Sequence, residues 1–453
     1  MNRCLLYEMK LWDKNITTNQ AVHQFTVGND QVLDMQLAAF DIYGNMAHSR
    51  MLQSIGILTE GESKELHKGL LKLLAEVEAG TFSIAPDTED IHSEVEFRLT
   101  EMLGDLGKKI HTGRSRNDQV LVDLKMYVRA EIEEVVRLIE QLVRLLGEKS
   151  EAYKEVLLPG YTHFQVAMPS SVGLWLGAYA ESLTDDLELL LGAYKQANKN
   201  PLGSGAGYGS SFPLDRDLTT RLLGFDAPNV NVVYAQMTRG KLERSTLYSL
   251  AGVAQSLAKL AYDNCLYMSQ NYGFLSYPDE LTTGSSIMPH KKNPDVWELI
   301  RAKCNEVSAT PTVVQQVTGN LPSGYHRDFQ VLKEYLMPSI QKVKDCLAMT
   351  HLMVSNVKVK TDLVAKPEYD YLFTVEKVNE LVQAGVPFRE AYREVAREIG
   401  AGTYKPNRNI KHTHLGSVGS LGNERIKAMM EERVAAFNFG KVHSALDSLK
   451  KGQ

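Results

Sequence analysis

Apolar residues in the middle of the chain repeat with the spacing of an α-helix. From Gln119 to Ser150, successive apolar positions lie three or four residues apart, which lines one face of a single helix. Two later stretches show the same spacing, and alternation with a period of two is rare. The pattern predicts an almost all-α protein with only short hairpins. The stripes are Leu121, Leu124, Val128, Ile132, Val135, Ile139, Leu142 and Leu146; Trp175, Tyr179, Leu183, Leu187, Leu190 and Tyr194; and Leu247, Leu250, Ala254, Leu257 and Ala261.

The lengths of these stripes indicate how the chain is divided. Helices of more than about 25 residues are typical of helix bundles rather than of compact α/β domains. Shorter helices flank them, including helices predicted at 375–384 and 388–399. We therefore predict three domains: a mostly helical one at 1–112, a central long-helix bundle at 113–365 and a small helical one at 366–453.

Composition narrows the class of protein. The 453 residues are 43% hydrophobic and 23% charged, as in ordinary folded proteins. The 50 basic and 55 acidic residues give a net charge of −5, so no overall basic surface for nucleic acid or an anionic membrane is expected. The four cysteines lack metal-binding spacing, no apolar run reaches membrane-spanning length, and the N-terminus lacks the apolar core of a secretory leader. These features predict a cytoplasmic protein without a structural metal.

A first polar segment, HTGRSRND at 111–118, stands directly before the longest stripe. The free N–H groups and the positive end of a helix suit an anion, and arginine binds carboxylates with two hydrogen bonds. The segment therefore predicts an anion site. The alternative is an ordinary helix cap with solvated arginines.

A second polar segment, LPGYTHFQ at 158–165, places His163 beside Thr162 after a Pro-Gly turn. Histidine titrates near neutral pH and can transfer a proton, although a single histidine is more often structural. The glycine-rich segment 203–209 follows no strand pattern, so we interpret it as a tight turn between bundle helices rather than as a phosphate loop.

A third polar segment, TTGSSIMPHKKNPD at 282–295, combines a Gly-Ser-Ser turn with two lysines and an asparagine. A hydroxyl close to a lysine ammonium ionises more easily because the cation stabilises the alkoxide. Pro289 and Pro294 restrict the loop, and a segment that orders over substrate is a plausible lid. The alternative is a surface loop.

These three segments, in this order, resemble the signature regions of the fumarase/aspartase superfamily. HTGRSRND and GYTHFQ resemble the argininosuccinate lyase family within it, and GSSIMPHKKNPD is close to that family's form of the long signature. Further matches at 89–92, 106–109, 299–303 and 385–389 extend the resemblance over most of the chain, from about residue 11 to about residue 400.

The resemblance implies the reversible cleavage of argininosuccinate to L-arginine and fumarate, as part of arginine biosynthesis. A proton leaves the succinyl carbon beside a carboxylate, which becomes a dianionic aci-carboxylate before the C–N bond breaks. The resemblance also implies a homotetramer built on a central 20-helix bundle. Each of its four active sites takes the three signature regions from three different subunits and uses no metal or organic cofactor.

The resemblance also implies roles for individual residues. Ser285 would be the base at carbon and His163 the general acid, oriented by Glu298, although the sequence leaves open which of Ser285 and His163 is the base. Lys291 and Asn293 would stabilise the dianion. The remaining substrate-binding residues would be Ser115, Arg116, Asn117 and Thr162 for the succinyl carboxylates, and Tyr325, Gln330 and Lys333 for the arginine part.

The chain also departs from the family pattern. The usual N-terminal LWGGRF is LWDKNI at 11–16, and Asn29 or Asp30 falls nearest to a substrate-contacting serine. Val166, Met168 and the Val-Leu pair at 331–332 replace polar or acidic residues near the leaving group. Three alternatives follow: an adenylosuccinate lyase-type enzyme, a lyase for a modified arginine portion, or a non-catalytic relative like the lens crystallins.

Overall fold

The computed structural model describes residues 20–86, 88–410 and 412–452, and most of them are helical. The departure at residues 11–16 therefore lies outside the described residues. The helices are α1 Gln20–Val27, α2 Asp30–Asp34, α3 Ala38–Ser54, α4 Glu60–Glu78, α5 Ile91–Leu103, α6 Asp105–Lys108, α7 Arg116–Ala152, α8 Val172–Ala197, α9 Arg216–Leu222, α10 Val232–Met237, α11 Lys241–Met268, α12 Asp295–Val317, α13 Leu332–Ser355, α14 Thr374–Gln383, α15 Phe388–Gly400, α16 Asn423–Ala435 and α17 Phe439–Lys450. The strands are β1 Leu157–Thr162, β2 Gln165–Ser171, β3 Lys199–Asn200, β4 Ala227–Pro228, β5 Leu275–Ser276 and β6 Lys358–Val359.

Five long helices, α7, α8, α11, α12 and α13, pack together as a central bundle. The three predicted apolar stripes lie in α7, α8 and α11, and every stripe residue is buried except Trp175, which is half-buried. Burying one such side chain stabilises the fold by about 1.5–3 kcal/mol, so the stripes account for the bundle. The predicted long helices are confirmed.

The bundle has two ends that are far apart. Helix α7 has 37 residues, which at 1.5 Å per residue makes it about 55 Å long. The end of the bundle at which α7 starts is named end A. The opposite end is named end B. At end A, the Arg239 guanidinium donates to the carbonyl of Phe329 over 2.7 Å, joining the start of α11 to the segment before α13. At end B, the Lys149 ammonium donates to the carbonyl of Ser355 over 3.0 Å, joining the ends of α7 and α13.

The strands form three two-stranded ladders in the described part of the chain. Strands β1 and β2 make an antiparallel hairpin that carries the chain from α7 to α8 at end B. The other two ladders, β3 with β4 and β5 with β6, are only two residues long. The prediction of short hairpins in an otherwise helical protein is confirmed.

Helices from the N-terminal and C-terminal parts of the chain pack on the outside of the bundle. Helix α3 packs on α7, and α16 packs on α7 and α8. The helices predicted at 375–384 and 388–399 are confirmed as α14 and α15, which share a small apolar cluster of their own. The three domain boundaries stay a prediction. None of the described helices is both long enough and apolar enough to cross a bilayer.

Candidate active site

In the first polar segment, Ser115 is the N-cap of helix α7. Its hydroxyl accepts a hydrogen bond from the backbone N–H of Asn117 over 3.3 Å, and its own N–H donates to the carboxylate of Asp118 over 2.9 Å. This reciprocal pair satisfies backbone groups that a helix start leaves free. Ser115, Arg116 and Asn117 are therefore fixed at the start of α7, at end A, and all three are half-buried.

The glycine-rich segment folds over the same helix start. The N–H groups of Gly203 and Gly205 both donate to the second carboxylate oxygen of Asp118 over 3.0 Å. Both glycines have positive φ, 84° and 58°, a conformation in which glycine carries no Cβ penalty. Because a buried carboxylate already occupies these N–H groups, the interpretation as a tight turn is confirmed. Burial raises the pKa of Asp118 to about 6, against the lowering effect of these hydrogen bonds.

Arg116 lies between carboxylates of this same chain. Its guanidinium pairs with Asp90, donates to the hydroxyl of Ser93 over 2.8 Å, and lies 3.6 Å from the carboxylate of Glu89. Asp90 is itself the N-cap of α5. In the sequence, Glu89 and Asp90 belong to the supporting match at 89–92, and their acidic character is the signal that could have paired them with a predicted anion-binding arginine.

Gln330 and Lys333 reach the same end of the bundle from the start of α13. The Gln330 amide donates to the carbonyls of Thr26 and Val27 over 2.7 and 2.9 Å. The Lys333 ammonium is buried and lies 2.6 Å from the carboxylate of Asp34. The ring of Tyr325 packs edge-on against Phe329, with the ring centroids 6.1 Å apart. The structure thus brings the predicted arginine-holding residues together.

The N-terminal positions left open by the sequence lie beside this group. Asp30 is 2.6 Å from the Lys333 ammonium, and the Asn29 amide donates to Glu334 over 3.1 Å. Burial raises the pKa of Asp30 to about 6, while Lys333 opposes that rise. Glu89 links Arg116 to the segment before α13 at end A. It lies 3.6 Å from the Arg116 guanidinium and accepts a hydrogen bond from Arg327 over 3.1 Å.

His163 occupies a strained turn at end B. Thr162 pairs with Gln165, so His163 and Phe164 form a two-residue loop, and both have positive φ, 54° and 58°. That geometry matches a type I′ turn, which favours asparagine and glycine. Side chains other than glycine at positive φ cost about 1–3 kcal/mol each, and such strain clusters at functional sites. Thr162 and His163 are both exposed.

Ser285 lies in a loop that is closed at its base. The backbones of Thr283 and Asn293 form an antiparallel bridge, and the Asn293 amide donates to the carbonyl of Gly284 over 3.3 Å. The Ser285 hydroxyl is half-buried and accepts backbone hydrogen bonds from Met288 over 3.1 Å and Ile287 over 3.4 Å. Two backbone donors aimed at this oxygen favour a negative charge on it.

Lys291 and Glu298 complete the end B residues. Lys291 is exposed on the closed loop, and Glu298 is exposed in the first turn of α12. The hairpin and the loop lie at the same end but on separate elements, and no hydrogen bond between described residues joins them. A single chain therefore divides the predicted site into two groups. End A holds Ser115, Arg116, Asn117, Tyr325, Gln330 and Lys333, and end B holds Thr162, His163, Ser285, Lys291, Asn293 and Glu298.

One group of carboxylate and imidazole side chains, of the kind that bind metals, lies outside the predicted site residues. Among the described residues, Asp41, His92 and Asp123 place one potential ligand atom each within 4.8 Å of the others, and all three are buried. None of the predicted site residues belongs to this group.

Comparisons with known proteins identify the family. A family model described as a lyase matches residues 13–309. The argininosuccinate lyase of Phocaeicola vulgatus is 53% identical over 97% of this chain and 99% of its own length. That of Thermotoga neapolitana is 40% identical over 86% of this chain and 98% of its own length.

A solved structure of EDDS lyase in complex with formate has the same fold, with a TM-score of 0.74 at 21% identity over 96% of this chain and 95% of that one. The predicted fold class, all-α and fumarase/aspartase-like, is confirmed. By near full-length identity and by the lyase model, the chain belongs to the argininosuccinate lyase family.

Proposed function

We propose that this chain catalyses the reversible β-elimination of argininosuccinate to L-arginine and fumarate. The observation that carries the proposal is the 53% identity, over nearly the whole chain, to proteins named argininosuccinate lyase. The chain also keeps the serine, lysine and histidine that the chemistry needs, which disfavours a non-catalytic relative.

The elimination requires that negative charge be stabilised beside the carbon that loses its proton. Preorganised cations and donors at the developing charge are usually the largest catalytic contribution. We assign this role to the Lys291 ammonium and the Asn293 amide. Arg116 and the start of α7 hold a succinyl carboxylate, and the substrate displaces the Asp90 contact that now occupies the arginine.

Ser285 takes the proton from carbon in this proposal. The backbone donors of Ile287 and Met288 stabilise its alkoxide, and Lys291 adds a positive charge on the same loop. His163, on the strained turn, protonates the departing nitrogen, and Glu298 orients its ring. The reverse assignment, with His163 as base, predicts the same two residues as essential.

We further propose a homotetramer whose sites are each shared by three subunits. The end A and end B groups lie toward opposite ends of α7, a helix about 55 Å long, so only other copies can complete a site. Antiparallel neighbours would bring end A of one chain to end B of two others. Exposed apolar side chains on bundle helices support such contacts, including Leu189 on α8 and Leu299 on α12, which are 57% and 59% exposed.

We infer a reducing compartment, the cytoplasm, and no cofactor. The described cysteines, Cys265, Cys304 and Cys346, are all free thiols, as is usual where glutathione keeps thiols reduced. The proposed chemistry needs only acid–base groups and fixed charges.

The direct test is a side-by-side assay of the purified protein with argininosuccinate, adenylosuccinate and an N-acylated argininosuccinate. Fumarate absorbance should rise steadily with argininosuccinate and stay flat with adenylosuccinate. Preference for the acylated compound would assign the changed positions Val166 and Met168 to a modified arginine portion. Absence of fumarate with every substrate would contradict the proposal and favour the non-catalytic relative.

A further inference from the structure

Three buried polar side chains from three helices meet beneath the anion segment at end A. Asp41 of α3, His92 of α5 and Asp123 of α7 have side chains that are 1%, 2% and 0% exposed. His92 Nδ1 lies 2.7 Å from a carboxylate oxygen of Asp41 and 3.4 Å from one of Asp123. None of these three residues has a role in the reaction proposed above.

The two carboxylates have unequal surroundings. Asp41 accepts hydrogen bonds from the Asn45 amide over 2.8 Å and the Gln119 amide over 3.3 Å, in addition to its contact with His92. Neither oxygen of Asp123 accepts a hydrogen bond from a described donor, and its side chain lies within hydrogen-bond reach of Asp41. A charged carboxylate without hydrogen-bond donors is costly in a protein interior. Asp123 is therefore the better place for a proton, which it can donate to Asp41.

Electrostatics agree with this division of charge. Burial raises the pKa of Asp123 well above its usual range, and the neighbouring charge of Asp41 adds to that rise. Burial opposes a charged imidazole at His92, but the carboxylates of Asp41 and Asp90 outweigh burial and raise the pKa of His92. These directions favour a proton on Asp123 and on His92 Nδ1, which faces Asp41, while His92 Nε2 has no hydrogen-bond partner among the described residues.

Two short connections join this group to the anion segment. The Asn45 amide that donates to Asp41 also accepts, through its oxygen, a hydrogen bond from the Arg114 guanidinium over 2.6 Å. Along α5, His92 stands two residues after Asp90, the partner of Arg116. The hydrogen bonds of the group are thus coupled to the positions of both Arg114 and Arg116.

We propose that Asp41, His92 and Asp123 form a proton-holding triad that positions Arg114 and Arg116 for binding of the substrate carboxylate. None of the three touches the reacting atoms, so all are positioning residues. A proton fits better than a metal ion, because 2.7 Å between Nδ1 and the Asp41 oxygen is a hydrogen-bond length. The guanidinium of Arg114, whose positive charge Asp41 stabilises, also opposes a second cation at this place.

The protonation state can be tested without any assay of activity. Infrared spectra of protein labelled with carboxyl-¹³C aspartate at pH 7.5 should show the carbonyl band of a protonated acid in the wild type and not in D123N. D123N should keep the wild-type unfolding midpoint, because an amide has the shape of a neutral acid, whereas D41N should lower it. A missing band in the wild type, or D123N less stable than D41N, would overturn the proposal.

The positioning role is tested by the matched pair H92N and H92F, and this arm rests on the proposed function. Asparagine keeps a donor at the position of Nδ1, and phenylalanine keeps a ring without one. H92F should raise KM for argininosuccinate about three- to tenfold with little change in kcat, and H92N should raise it less, because asparagine keeps the donor but not the positive charge. Equal KM values for H92F and the wild type would refute the positioning role.

A pH profile separates this role from a merely structural one. In the wild type, KM should rise on the alkaline side as His92 loses its proton, and H92N should lack that limb. The other charged or titratable groups facing the triad are Asp34 from α2, Asp90 and Glu96 from the start and the body of α5, and His111 and Arg114 before α7. Burial and nearby cations lower the pKa of His111 to about 4, so this histidine does not produce an alkaline limb. An unchanged alkaline limb in H92N would contradict the proposal.

A metal analysis provides the last outcome. Purified wild-type protein should contain no stoichiometric metal, and added Zn²⁺ or Mn²⁺ should leave its unfolding midpoint unchanged. One metal per chain that D123N removes would overturn the proton assignment. If no activity is found with any substrate, the infrared and metal measurements still show whether the triad holds a proton. The proposed function and the proposed triad can therefore fail separately.

Discussion

Ser285 and His163 reach their positions by different local means. The serine oxygen sits in a closed loop where two backbone N–H groups already donate to it, whereas the histidine is displayed on a strained turn. We predict that S285A and H163N each lower kcat at least about 10²-fold, the usual contribution of a positioned acid or base. Steady-state kinetics, with circular dichroism to verify the fold, would measure this.

The neighbouring hydroxyl of Ser286 is a matched control for the serine. It is exposed, and S286A is expected to lose less than about tenfold in kcat. A near-normal rate in S285A, or an equal loss in S286A, would remove Ser285 from its proposed role.

Lys125 is a fully buried lysine in α7 whose hydrogen-bond acceptors, among the described residues, are all neutral. Its ammonium donates to the carbonyls of Lys199 and Gln196 over 2.9 and 3.4 Å, and to the Asn229 side chain over 2.8 Å. Burial lowers its pKa to about 7, and the charge of Lys199 adds to the effect. Between about pH 7 and its ordinary pKa, the unfolded chain therefore binds more protons at this residue than the folded chain does.

We predict that Lys125 makes the protein more stable as pH rises from 7 to 9. The excess of protons on the unfolded chain gives a slope of up to about 1.4 kcal/mol per pH unit in the free energy of unfolding. K125M should lack this contribution, so the wild type should gain stability relative to K125M in urea unfolding at pH 9. K64M removes an exposed lysine and should show no such difference; an identical pH response of K125M and the wild type would refute the prediction.

Helices were predictable from the sequence where a single signal, the periodic burial of apolar residues, determined them. The apolar period of 3.6 residues placed α7, α8 and α11, because burial of one continuous face decides both the position and the length of a bundle helix. The β1–β2 hairpin escaped prediction as a pair of strands. Its turn residues are His163 and Phe164 rather than the asparagine and glycine that a type I′ turn favours. The two strands pack on residues 363–373, and this packing holds a turn that the local sequence disfavours.

Helix α8 offers a matched pair of glycines. A Cβ at Gly173 would lie 2.3 Å from the carbonyl oxygen of Ser150 and 2.7 Å from the Lys154 backbone, whereas one at Gly192 would meet nothing within 4 Å. We predict that G173A costs about 1–3 kcal/mol through overpacking where α7 and α8 meet. G192A should instead gain about 0.5–1 kcal/mol, because alanine loses less entropy in a helix.

Urea unfolding midpoints would test both variants. Because the two glycines lie on one helix, a general effect of alanine on α8 would move both midpoints in the same direction. Equal shifts would show that the approach of α7 and α8 at Gly173 does not limit the size of its side chain.

At the scale of the whole molecule, sequence motifs name residues without showing which of them meet. The long signature and HTGRSRND lie in one chain, yet at opposite ends of a bundle whose longest helix, α7, is about 55 Å long. The pairs of Arg116 with Asp90 and of Lys333 with Asp34 join distant parts of the sequence. Such pairs depend on how helices pack, which a pattern along one chain does not contain. The candidate residues can thus be named from the sequence, whereas their division between the two ends of one chain follows from how the helices pack.

That division makes a quantitative prediction for mixed oligomers. N117D places a negative charge where we propose that a succinyl carboxylate binds at end A, and S285A removes the proposed base at end B. If each site takes these residues from different copies, random mixing of the two inactive chains leaves about a quarter of the sites with both wild-type residues. Refolding equal amounts together should therefore recover about 25% of the wild-type kcat.

The control is a mixture of S285A with K291A. Both residues lie on one closed loop, between the bridge residues Thr283 and Asn293, so every site would take them from the same copy. No site in this mixture has both residues intact, and no activity should return. Recovery with N117D but not with K291A would show that end A of one chain serves end B of another, whereas failure of both mixtures would confine the working site to a single chain and contradict the shared-site proposal.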